Sequence, residues 1–203
     1  MGNWDRPPAG IPTATFFETW LPAAYQATAR CAPAHAPVVR ASISGEGGGA
    51  WDLRAEDDRL ETAVAGREPP DIWVRQSIAD FRAAFDGDPD LPELIPPGWS
   101  ALDMLFLDER EADMIRSVQG RILLELKGRR ARRWALDVGF AKAGVTAGRP
   151  RTTVRVDGAT FEGIQSGAIA PLQPLLDGRL ALEGDRALAM QLLMLLGGRL
   201  GRR

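Results

Sequence analysis

With 203 residues, 45% of them hydrophobic and 26% charged, the chain has the composition of an ordinary globular protein, with room for one large domain or two small ones. Its net charge of −2 gives no general electrostatic reason to bind nucleic acid. A single cysteine, Cys31, excludes an internal disulfide and a cysteine-based metal cluster and fits a reducing compartment. The single histidine, His35, sits in a proline-broken stretch with no second ligand nearby, which counts against zinc sites and histidine-dependent triads.

Residues 1–12 are polar and lack the apolar core of a signal peptide. The longest strongly apolar stretch, Ala187–Leu196, is short of the ~20 residues that cross a bilayer, so the expectation is a soluble, cytoplasmic chain. A helix is predicted over Thr15–Arg30, where Phe16, Phe17, Trp20, Leu21 and Tyr25 recur mostly at helical spacing and Pro22 is a local disturbance. Cys31 and His35 follow in a proline-broken stretch that reads as a loop. Val39, Ala41 and Ile43 then alternate towards Trp51-Asp52-Leu53 across the turn Gly45–Gly49, which is the pattern of a β-hairpin. A further strand, Ile72–Val74, and a short helix around Phe81 come next. From Asp88 to Pro97 the chain is too rich in proline for regular structure.

The second half repeats this order. A helix is predicted over Ser100–Val118, opened by Ser100-x-x-Asp103, a capping-box variant. Ile122, Leu124 and Leu126 alternate towards Trp134-Ala135-Leu136 across Gly128–Arg133, and Thr152–Val156 reads as the further strand. Trp134 follows Trp51 by 83 residues, while Val154-Arg155, Phe161 and Gly167 follow Val74-Arg75, Phe81 and Gly87 by 80. About three extra residues in the first copy, near Glu56–Arg59, account for the difference. Such ordered self-similarity marks an internal repeat, in which Trp51 and Trp134 take matching core positions. Only the second copy has a full ending: a short helix over Pro171–Leu176, a strand over Arg179–Glu183 with Leu180 and Leu182 on one face, and a helix capped by Gly184-Asp185 and ended by Gly197-Gly198. The chain is therefore divided into a truncated lobe, residues 13–97, and a complete lobe, residues 98–200.

Trp134-Ala-Leu-Asp-Val138, Val154-Arg-Val-Asp157 leading to Thr160-Phe161, and above all Leu176-Asp-Gly-Arg-Leu-Ala-Leu-Glu-Gly-Asp185 followed by Ala187–Leu192 resemble the sterol carrier protein family. There a strand of the form Gly-[Lys/Arg]-Leu-x-[Leu/Ile]-x-Gly-Asp precedes a final amphipathic helix. The resemblance covers the C-terminal half directly and the N-terminal half through the repeat. It implies an α+β fold, a largely antiparallel five-stranded sheet with helices on one face, here in two similar lobes. It further implies an apolar tunnel between sheet and helices that accommodates sterols, fatty acyl chains or similar lipids. Fold alone does not choose between carrier, accessory subunit and enzyme-attached module.

The last helix supports a cavity independently. Every residue of Ala187–Leu196 except Gln191 is apolar, so the helix must be covered on more than one side, by the sheet and by a ligand, a neighbouring lobe or a partner. Met190 and Met194 share one face, and methionine adapts to varied apolar shapes. Leu193 belongs with them, and Gln191 is the candidate for orienting a ligand's polar group. On the family's geometry Phe161, Ile164, Leu172, Leu175 and Leu176 supply the opposite wall, with Leu182 on the strand.

Gly45-Glu-Gly-Gly-Gly49 lies between strands and lacks a following Gly-Lys-Ser/Thr, so it is a hairpin turn rather than a phosphate loop. The basic run Lys127–Arg133 is either a solvated tip or a contact for an anionic membrane or acidic protein through Arg129, Arg130, Arg132 and Arg133. The acidic run Asp108–Asp113 reads as a wet helix face. No serine sits in a nucleophile setting. The leading expectation is a non-catalytic lipid-binding or lipid-transfer protein without a cofactor, monomeric or homodimeric. A second is a small enzyme that folds a hydrophobic substrate in the cavity for cyclisation or isomerisation, with Asp137 or Asp157 as acid or base. A third is an interaction module whose apolar helix packs on a partner.

Overall fold

The computed structural model describes residues 6–27, 36–67, 69–95, 109–140, 151–170 and 172–191. The chain opens with α1 (Thr13–Thr15), a π-helical turn (Phe16–Trp20) and α2 (Leu21–Ala27) in unbroken succession. Pro22 explains the wide turn. It has no N–H to donate, and its ring presses on the carbonyl four residues earlier. The widened turn relieves that crowding, with the Leu21 N–H reaching back five residues to the Phe16 carbonyl.

The first half continues with β1 (Val39–Ser44), β2 (Gly49–Glu56), β3 (Arg59–Val64), β4 (Ile72–Ser77) and α3 (Ile78–Asp86). The second contains α4 (Glu109–Ser117), β5 (Gly120–Lys127), β6 (Arg133–Phe140), β7 (Thr152–Asp157), α5 (Gly158–Gln165), α6 (Gln173–Leu176), β8 (Leu180–Gly184) and α7, described over residues 186–191. The helices after the two parallel strands are capped alike: the Ser77 hydroxyl accepts from the Asp80 N–H, and the Asp157 carboxylate accepts from the Thr160 N–H.

The fold is α+β and the sheet is, as expected, largely antiparallel, five of its seven strand pairs being so. All eight strands form one sheet in the order β3-β2-β1-β4-β6-β5-β7-β8. The pairs β1/β4 and β5/β7 are parallel and the rest antiparallel. Each half uses one scheme, a hairpin whose first strand also takes a parallel neighbour. The flank of β7 is filled by β8, and the same flank of β4 is filled by β6. Conversely, β3 flanks β2 as β4 flanks β6. Two five-stranded arrays, β3-β2-β1-β4-β6 and β4-β6-β5-β7-β8, therefore share β4 and β6. The described residues between α3 and position 95 contain no strand, and β6 takes the place that such a strand would occupy.

The register also corrects the tryptophan match. Trp51 lies opposite Ala41, and Ala41 lies beside Val74. Val154, the counterpart of Val74, lies beside Leu124, whose antiparallel partner is Leu136. The counterpart of Trp51 is thus Leu136, and Trp134 falls two residues out of step because the second hairpin runs one pair further, to Lys127–Arg133.

Two cores cover the same face of the sheet. Phe16, Phe17, Leu21 and Tyr25 pack with Ala41, Ile43, Trp51, Leu53 and Phe81 in the first. Ala112, Ile115, Val118 and Leu188 pack with Ile72, Ile122 and Phe140 in the second, and half-buried Val39 touches both. On the other face the outward side chains form cross-strand ion pairs: Arg40 with Asp52, Arg75 and Arg121 with Asp137, and Arg155 with Glu125 and Glu183.

Asp52 accepts two hydrogen bonds from Arg40 (2.6 and 2.8 Å) and one from the Gly66 N–H (3.0 Å). The Arg40 bonds, against an opposing desolvation effect and with help from Gly66, hold its carboxyl below the ordinary value of 3.8. Asp88 is lowered too, first by the Asp90 N–H and then by Arg132. A depressed folded-state pKa contributes stability that is complete above the unfolded value and is lost as pH falls through the folded one. Urea midpoints are therefore expected to fall below about pH 4, and Asp52→Asn to flatten that fall while lowering the midpoint at neutral pH. An unchanged acid limb in Asp52→Asn would refute this.

Residues 88–95 run from the first half over the second. The Arg129 N–H donates to the Asp90 carbonyl (2.7 Å), and Gln165 Nε2 donates to the Leu94 carbonyl (3.1 Å). A Cβ on Gly128 would lie 2.1 Å from the Asp90 carbonyl oxygen, so only glycine fits beneath this strap. Arg132 fastens it, bonding Asp80 at 3.0 Å and Asp88 at 2.9 Å with its side chain 27% exposed. Arg132→Ala leaves two carboxylates without that partner and is expected to cost about 1–3 kcal/mol in urea unfolding with an unchanged m-value.

Candidate functional site

The helix-facing surface of the sheet differs sharply between the halves. In the first, Ala41, Ile43, Trp51 and Leu53 are at most 6% exposed. They are sealed by an aromatic cluster in which Phe16 meets Phe17, Trp20, Phe81 and Phe85 at centroid distances of 4.9–5.2 Å. Phe17 also stacks on Trp51 (4.6 Å), whose Nε1–H donates to Glu18 (2.9 Å). This half is filled by its own side chains.

In the second half, the positions matching Ala41, Trp51 and Leu53 are Leu124, Leu136 and Val138, and all three are only half-buried. Val154, Val156 and Leu182 continue this half-buried apolar surface across β7 and β8. Phe161 on α5, the counterpart of buried Phe81, is half-buried as well. The position corresponding to Phe85 is Gln165, whose side chain turns to the strap instead of the core. The alternation of these strands is plain in the sequence, yet only Leu182 among their residues is an expected ligand contact. Their incomplete cover is a tertiary property.

Of the residues expected to line a ligand, Phe161 and Ile164 lie half-buried on α5, Leu175 on α6, Leu182 on β8 and Met190 on α7. Leu172 and Leu176 depart from the expectation, being 51% and 87% exposed at the outer side of α6, where Pro174 takes the buried place. Gln191 is exposed on α7, not enclosed within an apolar volume. Leu193 and Met194 lie outside the described residues, as do Cys31, His35 and Trp99.

The closing motif has a direct physical role. Gly184 has φ +96, and a Cβ there would sit 2.0 Å from the Arg151 carbonyl oxygen. That close approach lets the Asp185 N–H bond Arg151 and the Asp185 carbonyl accept from buried Thr152 (2.8 Å). The Asp185 carboxylate then caps α7 through the N–H groups of Ala187 (2.9 Å) and Leu188 (3.2 Å), first the Leu188 bond holding it below its ordinary pKa. Leu188 and Ala189 are thereby driven into the core, at 3% and 1% exposure.

Asp137 and Asp157, singled out as acid or base, are otherwise engaged. Asp137 pairs with two arginines on the face away from the apolar surface, and Asp157 caps α5. In the basic run, Arg132 is spent within the molecule, a correction to its place in an outward patch, while Arg129, Arg130 and Arg133 are exposed. Among the described residues no group of histidine, cysteine and carboxylate side chains could hold a metal ion, and no helix is long and apolar enough to cross a membrane.

Residues 101–197 match the family model of the SCP-2 sterol transfer family. Over 89 residues the chain is 30% identical to hydroxysteroid dehydrogenase-like protein 2 of Xenopus tropicalis and 32% identical to that of Xenopus laevis. These alignments cover 42% of this chain and 21% of each relative, so the chain spans about a fifth of the length of the curated relatives it matches. Among solved structures, the apo form of sterol carrier protein 2 from Yarrowia lipolytica is 18% identical, over 43% of this chain and 74% of that one, with a TM-score of 0.33. The sterol carrier protein domain 2 of Helicoverpa armigera is also 18% identical, over 51% and 82%, with a TM-score of 0.37.

Proposed function

We propose that this chain, a sterol-carrier-like protein through its region 101–197, binds one apolar ligand against the second half of its sheet and carries or presents it. The observation that carries the proposal is the half-buried surface of Leu124, Leu136, Val138, Val154, Val156 and Leu182, which faces the helices and bears no charge. Leaving that much apolar surface incompletely covered costs about 25 cal/mol per Å², a cost that an apolar guest recovers. Phe161, Ile164, Leu175 and Met190 are the proposed opposite wall. A sterol, a fatty acyl chain or a similar lipid has the required chemistry.

On this reading residues 13–97 and 98–200 descend from one duplicated unit, and the first has become scaffold. Its counterpart of the ligand volume is occupied by Phe16, Phe17, Trp51, Phe81 and Phe85. Exposed Arg129, Arg130 and Arg133 are the proposed contact for an anionic membrane from which ligand is taken or to which it is given. Titration of a fluorescent fatty acid tests the binding claim. Saturation near one per chain, reversed by cholesterol or by unlabelled fatty acid, supports it; emission that never saturates contradicts it.

A further inference from the structure

The ladder between β4 and β6 stops at the pair Arg75–Asp137, although β6 continues against β5 as far as Arg133. Past that point Gln76 Nε2 spans the gap to the Ala135 carbonyl (3.3 Å). The parting strands leave a cleft of about 370 Å³ at the carboxyl ends of the parallel pair β1/β4, where α3 begins. Such strand ends are where sheets with parallel strands commonly place ligands.

We propose that this cleft binds a small oxyanion, a phosphate or carboxylate group, through Arg75. Arg121 already meets Asp137 as a two-point fork, at 2.6 and 2.5 Å. Arg75 is the second guanidinium on that carboxylate, at 2.7 Å. It lies over the Trp73 ring, 4.8 Å from the centroid, and Trp73 is itself fixed by its Nε1–H donating to Ser42 Oγ (2.8 Å). The guanidinium is thus held in place before any ligand arrives, and its remaining N–H groups meet no acceptor among the described residues. Asp80, the other carboxylate of the cleft, is bonded by Arg132 at 3.0 Å, a partner it shares with Asp88, and by the Ser77 hydroxyl at 3.0 Å. Ser42 and Ser44 bring hydroxyls to the same cleft, Ser42 Oγ accepting from Trp73 and Ser44 Oγ donating a long bond to the Gln76 carbonyl (3.3 Å) that an anion would replace. A stacked, part-paired arginine beside hydroxyl groups suits a planar or tetrahedral oxyanion better than a neutral guest.

The site lies away from the apolar surface, so its test is independent of lipid uptake. The full chain is titrated with inorganic phosphate and separately with acetate at constant ionic strength, following tryptophan emission. A saturable change is expected, roughly tenfold weaker or more in Arg75→Gln and reduced in Ser44→Ala, with fatty-acid uptake and circular dichroism unaltered in both. Sedimentation with phosphatidylserine vesicles separates the sources. Saturation by free phosphate assigns a soluble ligand, whereas vesicle binding abolished by Arg75→Gln without a response to free phosphate assigns a lipid headgroup. No saturable response to any of the three probes, or equal responses in wild type, Arg75→Gln and Ser44→Ala, overturns the proposal.

Discussion

Leu136→Trp is expected to weaken fatty-acid uptake at least about tenfold while the protein still folds. The substitution places in the second half the residue that stands at the same register position in the first, Trp51. There the indole is 4% exposed and, stacked on Phe17, helps to fill the volume above the sheet. At position 136 the surroundings are less complete, since Leu136 is half-buried and its neighbours Leu124 and Val138 are too. A larger side chain can therefore enter space meant for a guest instead of forcing a packed core apart, which would cost about 1–3 kcal/mol. A tenfold loss corresponds to about 1.4 kcal/mol of binding free energy, modest beside the contacts that an acyl chain would lose. Urea unfolding distinguishes a blocked site from a damaged fold. Unchanged affinity in a folded variant would mean that the guest does not lie over β5 and β6.

Phe16→Ala is expected to be the most destabilising of these substitutions, by about 3–5 kcal/mol. Phe16 is 3% exposed and touches four other aromatic rings, bridging the π-helical turn to α3. Its removal opens a cavity that the surrounding rings cannot close, because Phe17 is held on Trp51 and Trp51 on Glu18. If the first half is scaffold, ligand stoichiometry at low temperature should be unchanged although the thermal midpoint falls by several degrees or more. Lost binding in a variant that remains folded would instead place a guest in the first half.

Much of this architecture is legible in the residues. Period-two alternation in Val39–Ile43, Ile122–Leu126 and Leu180–Leu182 marks strands, and Asp185 before an apolar run marks a capped helix. The closing motif is legible because it is local: a glycine that must approach backbone, then an aspartate that must cap. The shared strands are not legible, since β4 meets β6 through main-chain hydrogen bonds that any side chains permit. The false match of Trp51 with Trp134 has a similar origin. One extra strand pair in the second hairpin left two tryptophans at a recurring spacing without bringing them to one register position.

The site is legible in part. Residues that alternate on strands announce which face is apolar, but not how completely helices cover it. The half-buried state of Leu124, Leu136 and Val138 depends on what distant parts of the chain lay over them. Likewise Leu172 and Leu176 belong to an apolar run whose period does not say which side of a four-residue helix the rest of the molecule covers. Arg132 reads as one more charge in a basic turn, and only the return of residues 88–95 supplies Asp88 as its partner.

Native mass spectrometry of the chain purified from its own cells, followed by organic extraction, tests the central claim most directly. A defined apolar molecule carried at about one per chain, and lost in Leu136→Trp, is the expected result. An empty protein that takes up neither added fatty acid nor sterol would contradict the account.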